Sequence, residues 1–256
     1  MARSLSKLGY CSRSQAAELI RAGRVRLNGR VRRDPEVPVR LERDRIGVDG
    51  NAVEPREKIY LMMNKPRGLV TTASDEKGRK TVYEVLGKAG ESLPWVAPVG
   101  RLDQASEGLL LLTNDSEWSS KVSAPETHVE KTYHVQIDNV VDENFTQALV
   151  NGVKSEGGGL FRALRARLLR SGKKNCWLDI TLDEGKNRQI RRMVAALGVE
   201  VLRLVRVAVG PLQLGKLAKG GWRRLTTEEK LEMDRAMGDL GPWPSKTRNP
   251  KSGPEI

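Results

Sequence analysis

Cysteine, histidine and aromatic residues are all scarce in this chain, and each shortage removes a class of function. Cys11 and Cys176 are its two cysteines. They lie far apart, and neither belongs to a pair with zinc-ligand spacing. With two histidines in 256 residues, a structural metal site has few ligands to draw on, and none is expected. A reducing, cytoplasmic setting is the expectation. No run approaches the ~18 apolar residues of a membrane-crossing helix. The basic start MARSLSKLGYCSRSQ is not followed by an apolar stretch, which argues against a secretory signal. Hydrophobic residues make up 38%, enough to build a core in one large domain or in a small domain beside a medium one.

Acidic residues are the other minority. Lys plus Arg total 45 against 32 Asp plus Glu, a formal charge of +13. Such a balance favours a polyanion as partner, because each neutralised phosphate releases counterions. A generically basic surface is the other reading, and composition alone does not choose between them. The placement of the charges does.

The first fifty or so residues read as a compact module. Ser12 and Gln15 have the spacing of a capping box. Ala16, Leu19 and Ile20 follow at helical spacing, and Gly23 is placed to end the helix. Arg24-Val25-Arg26-Leu27 and Arg30-Val31-Arg32 then alternate apolar and basic residues on either side of Asn28-Gly29, a favoured hairpin turn. A further short strand, Arg45 to Val48, ends at Asp49-Gly50. Alternate side chains of a strand share a face. Arg24, Arg26 and their hairpin partners are therefore expected to form one cationic surface, with Val25, Leu27 and Val31 inward. A solvated face usually mixes both signs, whereas Gly23 to Arg33 contains no acid. Arg13 and Arg21 mark the two ends of the helix. With Arg24, Arg26 and Arg30 they are the candidate RNA contacts.

From about Ile59 to Met237 the pattern changes. Strands are expected at Ile59–Met63, Leu109–Thr113, Thr132–Ile137, Trp177–Leu182 and Val201–Val209. Helices are expected at Glu117–Ser123, Glu143–Val150 and Gln189–Leu197. Strands outnumber helices and do not alternate with them, which predicts an α+β fold rather than a doubly wound one. Gly238 to Ile256, rich in Gly, Pro, Ser and Lys, reads as a disordered tail. The division is 1–52, 57–237 and 238–256.

Two segments carry candidate chemistry. Gly100 to Gly108 is a polar loop ahead of the apolar run Leu109–Leu112. It places Asp103 where a carboxylate can be partly desolvated yet held ionised by cations, although an Asp that merely caps a turn has the same local sequence. Asp183 to Met193 follows a strand and opens a helix, with Asn187 as the expected cap. Lys186, Arg188, Arg191 and Arg192 crowd that N-terminus. Cations there oppose the helix dipole, so they point to anions brought by something else. A glycosidase-like pairing of Asp103 with Glu107 or Asp115 finds no support, since nothing marks either as a raised-pKa acid. His128 and His134 read as surface or packing residues, because no Ser or Cys nucleophile pattern accompanies them.

The pairing of GRLDQASEGLLLLTND (Gly100–Asp115) with LDEGKNRQIRRM (Leu182–Met193) resembles the RsuA-type family of ribosomal RNA pseudouridine synthases. LMMNKPRGLVTT (Leu61–Thr72) and VLRLVRVAVGPLQLGKLAKGGWRRLTTEE (Val201–Glu229) are similar to it as well. The N-terminal module resembles the alpha-L RNA-binding domain of the type found in small-subunit ribosomal protein four. The resemblance implies a mixed, mainly antiparallel sheet with flanking helices behind that small domain. It also implies conversion of uridine to pseudouridine in ribosomal RNA, with no cofactor and as a monomer. Asp103 then matches the nucleophile, Tyr133 the residue that stacks on the flipped base, and Arg191 the partner of the carboxylate. Arg101 and Lys186 match more weakly, as phosphate or site contacts. Ser106 stands where the family usually has Thr, and keeps the hydroxyl. An RNA-binding ribosome assembly factor without catalysis, and a synthase directed to transfer RNA, are the competing readings. The implied trio of Asp103, Tyr133 and Arg191 should converge on one cleft, with Arg191 within ion-pair reach of Asp103.

Overall fold

In a computed structural model of the chain, Ser12 accepts a hydrogen bond from the Gln15 amide, and the Ser12 amide donates one to the Gln15 side chain. This closes the expected capping box of helix α2 (Arg13–Arg21). The structure describes residues 1–73, 75–87, 93–155 and 158–238. The tail expected beyond Gly238 lies outside the described residues. Helix α1 (Ala2–Lys7) precedes α2, an element the sequence pattern does not announce. Strands β1 (Val25–Leu27), β2 (Arg30–Val31), β3 (Ile46–Val48) and β4 (Asn51–Ala52) follow. They form a sheet in the order β2-β1-β3-β4. Both of its tight turns carry positive φ at both central residues, Asn28 and Gly29 in one, Asp49 and Gly50 in the other. That is the requirement of a type I′ hairpin turn. Leu5, Ala16, Ile20, Val25, Ile46 and Val48 pack into the module's own core.

Two expectations fail here. Val31 does not face inward; it is 43% exposed, because β2 is a two-residue edge strand with nothing packed over it. Arg24 lies just ahead of β1 and its charge is not free. Its Nε donates to Asp49 Oδ1 at 2.9 Å, the acid being delivered by the second hairpin turn, beyond the acid-free stretch.

Among the described residues, the rest of the chain builds one nine-stranded sheet and a separate small pair of strands. Its elements are β5 (Tyr60–Lys65), α3 (Tyr83–Gly87), β6 (Ala97–Val99), β7 (Glu107–Thr113), α4 (Ser116–Ser123), β8 (Lys131–Ile137) and α5 (Glu143–Asn151). A small pair, β9 (Val153–Lys154) and β10 (Leu160–Phe161), stands apart. Then come β11 (Arg165–Ser171), β12 (Cys176–Leu182), α6 (Gln189–Ala196), β13 (Val201–Val209), β14 (Leu212–Gln213), β15 (Trp222–Arg224) and α7 (Thr227–Ala236). The sheet runs β11-β12-β8-β13-β7-β5-β15, with β14 beside β13 and β6 beside β7. Every pairing is antiparallel except β13 with β7. The fold is α+β and mainly antiparallel, as expected.

Strand β7 explains the long apolar run. It is buried at all seven positions, because both faces of the sheet are covered there. Leu109 and Leu111 pack with Trp118, Val122 and Met233 from α4 and α7. Leu110 and Leu112 pack on the other side with Val82 and Leu86. Beyond the parallel junction, Val135, Leu178, Ile180 and Leu204 share a core with Leu149 of α5 and Ile190, Met193 and Val194 of α6. A cleft opens along this junction.

Candidate active site

The loop 101–106 is fastened before it meets β7. Lys65, the last residue of β5, is completely buried. Its ammonium donates to the carbonyls of Ser106 at 2.8 Å, Asp103 at 3.1 Å and Pro66 at 3.2 Å. Thr71 adds a bond from its hydroxyl to the Leu102 carbonyl at 2.7 Å, and the Gly68 amide donates to the Gln104 carbonyl. The backbone on both sides of Asp103 is thus held from one neighbouring segment, while the Asp103 side chain lines the cleft. Burial pushes the Lys65 ammonium down to about 8, against the pull of Asp103 and Glu107.

Tyr133 and Lys131 sit two apart on β8, so they share the face that looks into the cleft. Arg206 of β13 is buried and donates from Nε to the Leu109 carbonyl at 2.7 Å. It stands beside Tyr133 by register. Burial lowers the Lys131 ammonium, and Arg206 lowers it further.

The third wall is α6 and the turn before it. Asn187 is not the cap. The N-cap is Arg188, in the left-handed region at φ 50° and with no side-chain capping bond. An arginine held in that conformation at a dipole end that disfavours it supports the reading that this turn is shaped for an anion. Arg191 projects from the first turn, with Nη2 on the Ala105 carbonyl at 3.2 Å and Nη1 on the Val201 carbonyl at 3.1 Å. Its Nε is buried without a partner. The anticipated ion pair is absent: among the described residues, no contact within 4.0 Å joins Arg191 to Asp103. The reason is geometric, since two backbone carbonyls already take the ends of the guanidinium fork. Burial and neighbouring Arg188 lower the Arg191 guanidinium, and Asp103 opposes them.

The resulting cleft has a volume of about 450 Å³. Asp103, Tyr133, Arg191, Arg101 and Lys186 all line it, so the sequence-derived site residues do converge. Arg101 is exposed, and Lys186 is drawn to Glu184 at 2.8 Å. Two further cations in the lining, Lys131 and Arg206, were not singled out, Arg188 was read only as one of the cluster that faces anions, and Lys65 behind the loop was missed. Lys131 was findable, because it lies two positions before Tyr133 in a strand. Arg206 was findable too, as an arginine set between valines in the middle of an apolar strand. Among the described residues, Asp103 is the one carboxylate in a lining with six cations.

Glu107 is excluded as a second catalytic acid. Burial works to raise its pKa, but Arg203 at 2.9 Å and Lys219 at 2.6 Å outweigh burial and hold it below the ordinary value. Asp115 is occupied as the cap of α4, accepting from the Glu117 and Trp118 amides. Arg13, Arg21, Arg24, Arg26 and Arg30 are exposed and lie outside the cleft lining.

Residues 59–196 match the family described as RNA pseudouridylate synthase, and residues 3–46 match the S4 domain. An uncharacterized RNA pseudouridine synthase of Aquifex aeolicus is 38% identical over 235 residues, covering 91% of this chain and 93% of the relative. Ribosomal large subunit pseudouridine synthase B of Bacillus subtilis is 37% identical over 239 residues, covering 93% and 96%. A crystal structure of a pseudouridylate synthase superposes with a TM-score of 0.62 at 32% identity, covering 91% of this chain and 98% of that one.

Proposed function

Because this chain belongs to the RNA pseudouridylate synthase family, we propose that it isomerises uridine to pseudouridine in ribosomal RNA with Asp103 as the nucleophile. The observation that carries the assignment is the lining of the cleft, where one carboxylate, one tyrosine and six cations meet. The substrate class rests on the likeness to the Bacillus subtilis large-subunit enzyme.

The reaction breaks the N1–C1′ bond, turns the uracil and rejoins it through C5, so no group is gained and no electron is exchanged. An ionised carboxylate can serve throughout, at C1′ or C6 or by assisting a glycal route. A base in folded RNA is first extruded, at a cost of a few kcal/mol, and then held by stacking. Tyr133 offers the aromatic face. Arg191 acts on Asp103 through space and through the Ala105 carbonyl it holds, rather than as a direct partner. Arg101, Lys186 and Arg188 meet the phosphates beside the flipped nucleotide. Residues 1–52 form the RNA-docking domain, with Arg13, Arg21, Arg26 and Arg30 as contacts and Arg24 contributing less because Asp49 neutralises it. Residues 57–237 form the catalytic domain. The working form is a cytoplasmic monomer acting on RNA that is free or within an assembling subunit.

The test is incubation with unmodified ribosomal RNA followed by mapping of pseudouridine. Asp103→Asn should lower isomerisation by about a thousandfold or more, as loss of a nucleophile does, while RNA binding persists. Full activity of that variant would remove Asp103 from the chemistry. Modification of transfer RNA alone would shift the substrate class, and binding without any modification would make the chain an assembly factor.

A further inference from the structure

On the half of the sheet where α5 and α6 cover one face, the opposite face carries polar, basic and aromatic side chains. Register places Arg170 opposite Trp177, Trp177 opposite Gln136 and Gln136 opposite Arg203, which puts all four on one face across four strands. His134 and Asp179 continue the same face. It is the face turned away from Tyr133, Val135 and Leu178, and so away from the catalytic cleft. Trp177 is only half-buried, with the Arg170 guanidinium 4.9 Å and that of Arg203 5.8 Å from its ring centre. These three residues, with His134, Leu169 and Val205, line a hollow of about 380 Å³.

The charges here are not evenly balanced. Arg165 is paired with Glu130, Arg167 with Asp179, and Arg203 with Glu107. Arg170 has no ion pair among the described residues, and Lys173 and Lys174 stand exposed on the turn that joins β11 to β12. Uncompensated positive charge is therefore concentrated at the end of the face that holds the tryptophan. A π-face flanked by guanidinium planes and bordered by free cations is the arrangement that binds single-stranded nucleic acid. The base stacks on the aromatic or on an arginine plane, and the backbone follows the cations.

We propose that the Trp177 hollow is a second RNA site, which holds an unpaired nucleotide of the same RNA strand with its phosphates on Arg170, Lys173 and Lys174. The assignment rests on the reading that the chain works on RNA. It differs from the cleft in chemistry, since among the described residues its lining holds no carboxylate, and no reaction occurs there. Its effect is to lengthen the bound RNA segment and to fix its path around the sheet. Asp179 and Glu107 keep Arg167 and Arg203 in place as scaffold and leave the hairpin end as the anion-facing part.

The test measures binding of the full chain to a fluorescein-labelled oligouridylate of about 12 nucleotides, within the site sizes of single-strand binders. Trp177→Ala should weaken binding about tenfold, the scale of one base stack removed, with Trp177→Phe restoring most of it. The exposed triple variant Arg170→Glu, Lys173→Glu, Lys174→Glu should weaken it at least as much, without disturbing the fold. A 5-bromouridine version of the oligonucleotide should crosslink to the peptide containing Trp177. Unchanged affinity in both variants, or a crosslink confined to other peptides, overturns the site. Isomerisation of ribosomal RNA by the parent chain is followed in parallel. An active enzyme with an unchanged oligonucleotide affinity in the variants thus rejects the second site and leaves the catalytic reading standing.

Discussion

At Gly108 the two halves of the sheet come so close that a side chain has no room. The residue sits at φ 101°, and a Cβ there would lie 2.2 Å from the carbonyl oxygen of Arg206. Gly108→Ala should therefore force β7 and β13 apart at their parallel contact and cost roughly 3 kcal/mol or more through strain and clash. Urea unfolding would read this, and a variant as stable as the parent would show that the approach is looser than the geometry indicates. Lys65 is the other residue on which the site depends. Lys65→Met keeps much of the stem but takes the ammonium from the buried Ser106 carbonyl and from the half-buried Pro66 and Asp103 carbonyls, of which Asp103 retains the Ser106 amide. The expected loss is roughly 2 to 3 kcal/mol, with kcat falling further than KM rises. Its titration adds a pH effect. Between about 8 and the ordinary 10.5 the unfolded chain holds this proton and the folded chain has released it. Folding stability from this group therefore rises with pH across that interval. Activity should move the other way, because a neutral amine has two hydrogens for three acceptors. Single-turnover rates should decline as pH passes 8, and a flat profile there would detach Lys65 from the catalytic loop.

At the scale of elements, strands with strong alternation or long apolar runs were readable, and those shaped by their neighbours were not. β13 follows its expected span, and β7, β8, β12, α4, α5 and α6 lie within two residues of theirs. β11 was missed because Arg165–Ser171 is an exposed edge strand with no buried periodicity. Helix α7 was missed because its amphipathic signal is weak, although Thr226 and Glu229 close a capping box at its start. The site divides the same way. Asp103, Tyr133 and Arg191 were legible through motif likeness. Lys65 was not, because nothing in a local pattern says that a lysine ending a strand turns inward to three carbonyls of a loop far along the chain. Helix α7 carries its own prediction. Glu229 is held below its ordinary pKa chiefly by Arg223, whose guanidinium donates to it at 2.6 Å from both nitrogens. Glu229→Ala should cost about 1 kcal/mol at neutral pH through loss of the cap. The stability that this carboxylate provides is lost as pH falls through its depressed folded value. The gap between variant and parent should therefore close in acid, and a pH-independent gap would mean that the ion pair contributes nothing.

Across the whole molecule, the charge of +13 resolves into separate populations. Some cations are committed internally, as Lys65 is to three carbonyls and Arg24 is to Asp49, and two of the cleft cations, Arg206 and Arg191, are tied to carbonyls as well. Others line the cleft, and a third group, with Arg13, Arg21 and Arg30, stands exposed on the N-terminal module. Only cations that meet phosphate release counterions, so total charge overstates the electrostatic part of RNA affinity, and the salt dependence reports the cations that take part. Taking away one phosphate partner should flatten the slope of log K against log salt by about 0.7 to 0.9. Removing charge at Arg13, Arg26 and Arg30 together should then lower the slope by about 2 to 3 units and leave the single-turnover rate at saturating RNA unchanged. Arg24→Ala should change the slope little, because Asp49 already balances that guanidinium. Equal slopes for the triple variant and the parent would place the N-terminal module outside the RNA interface and leave the cleft and the open sheet face to supply all of the binding.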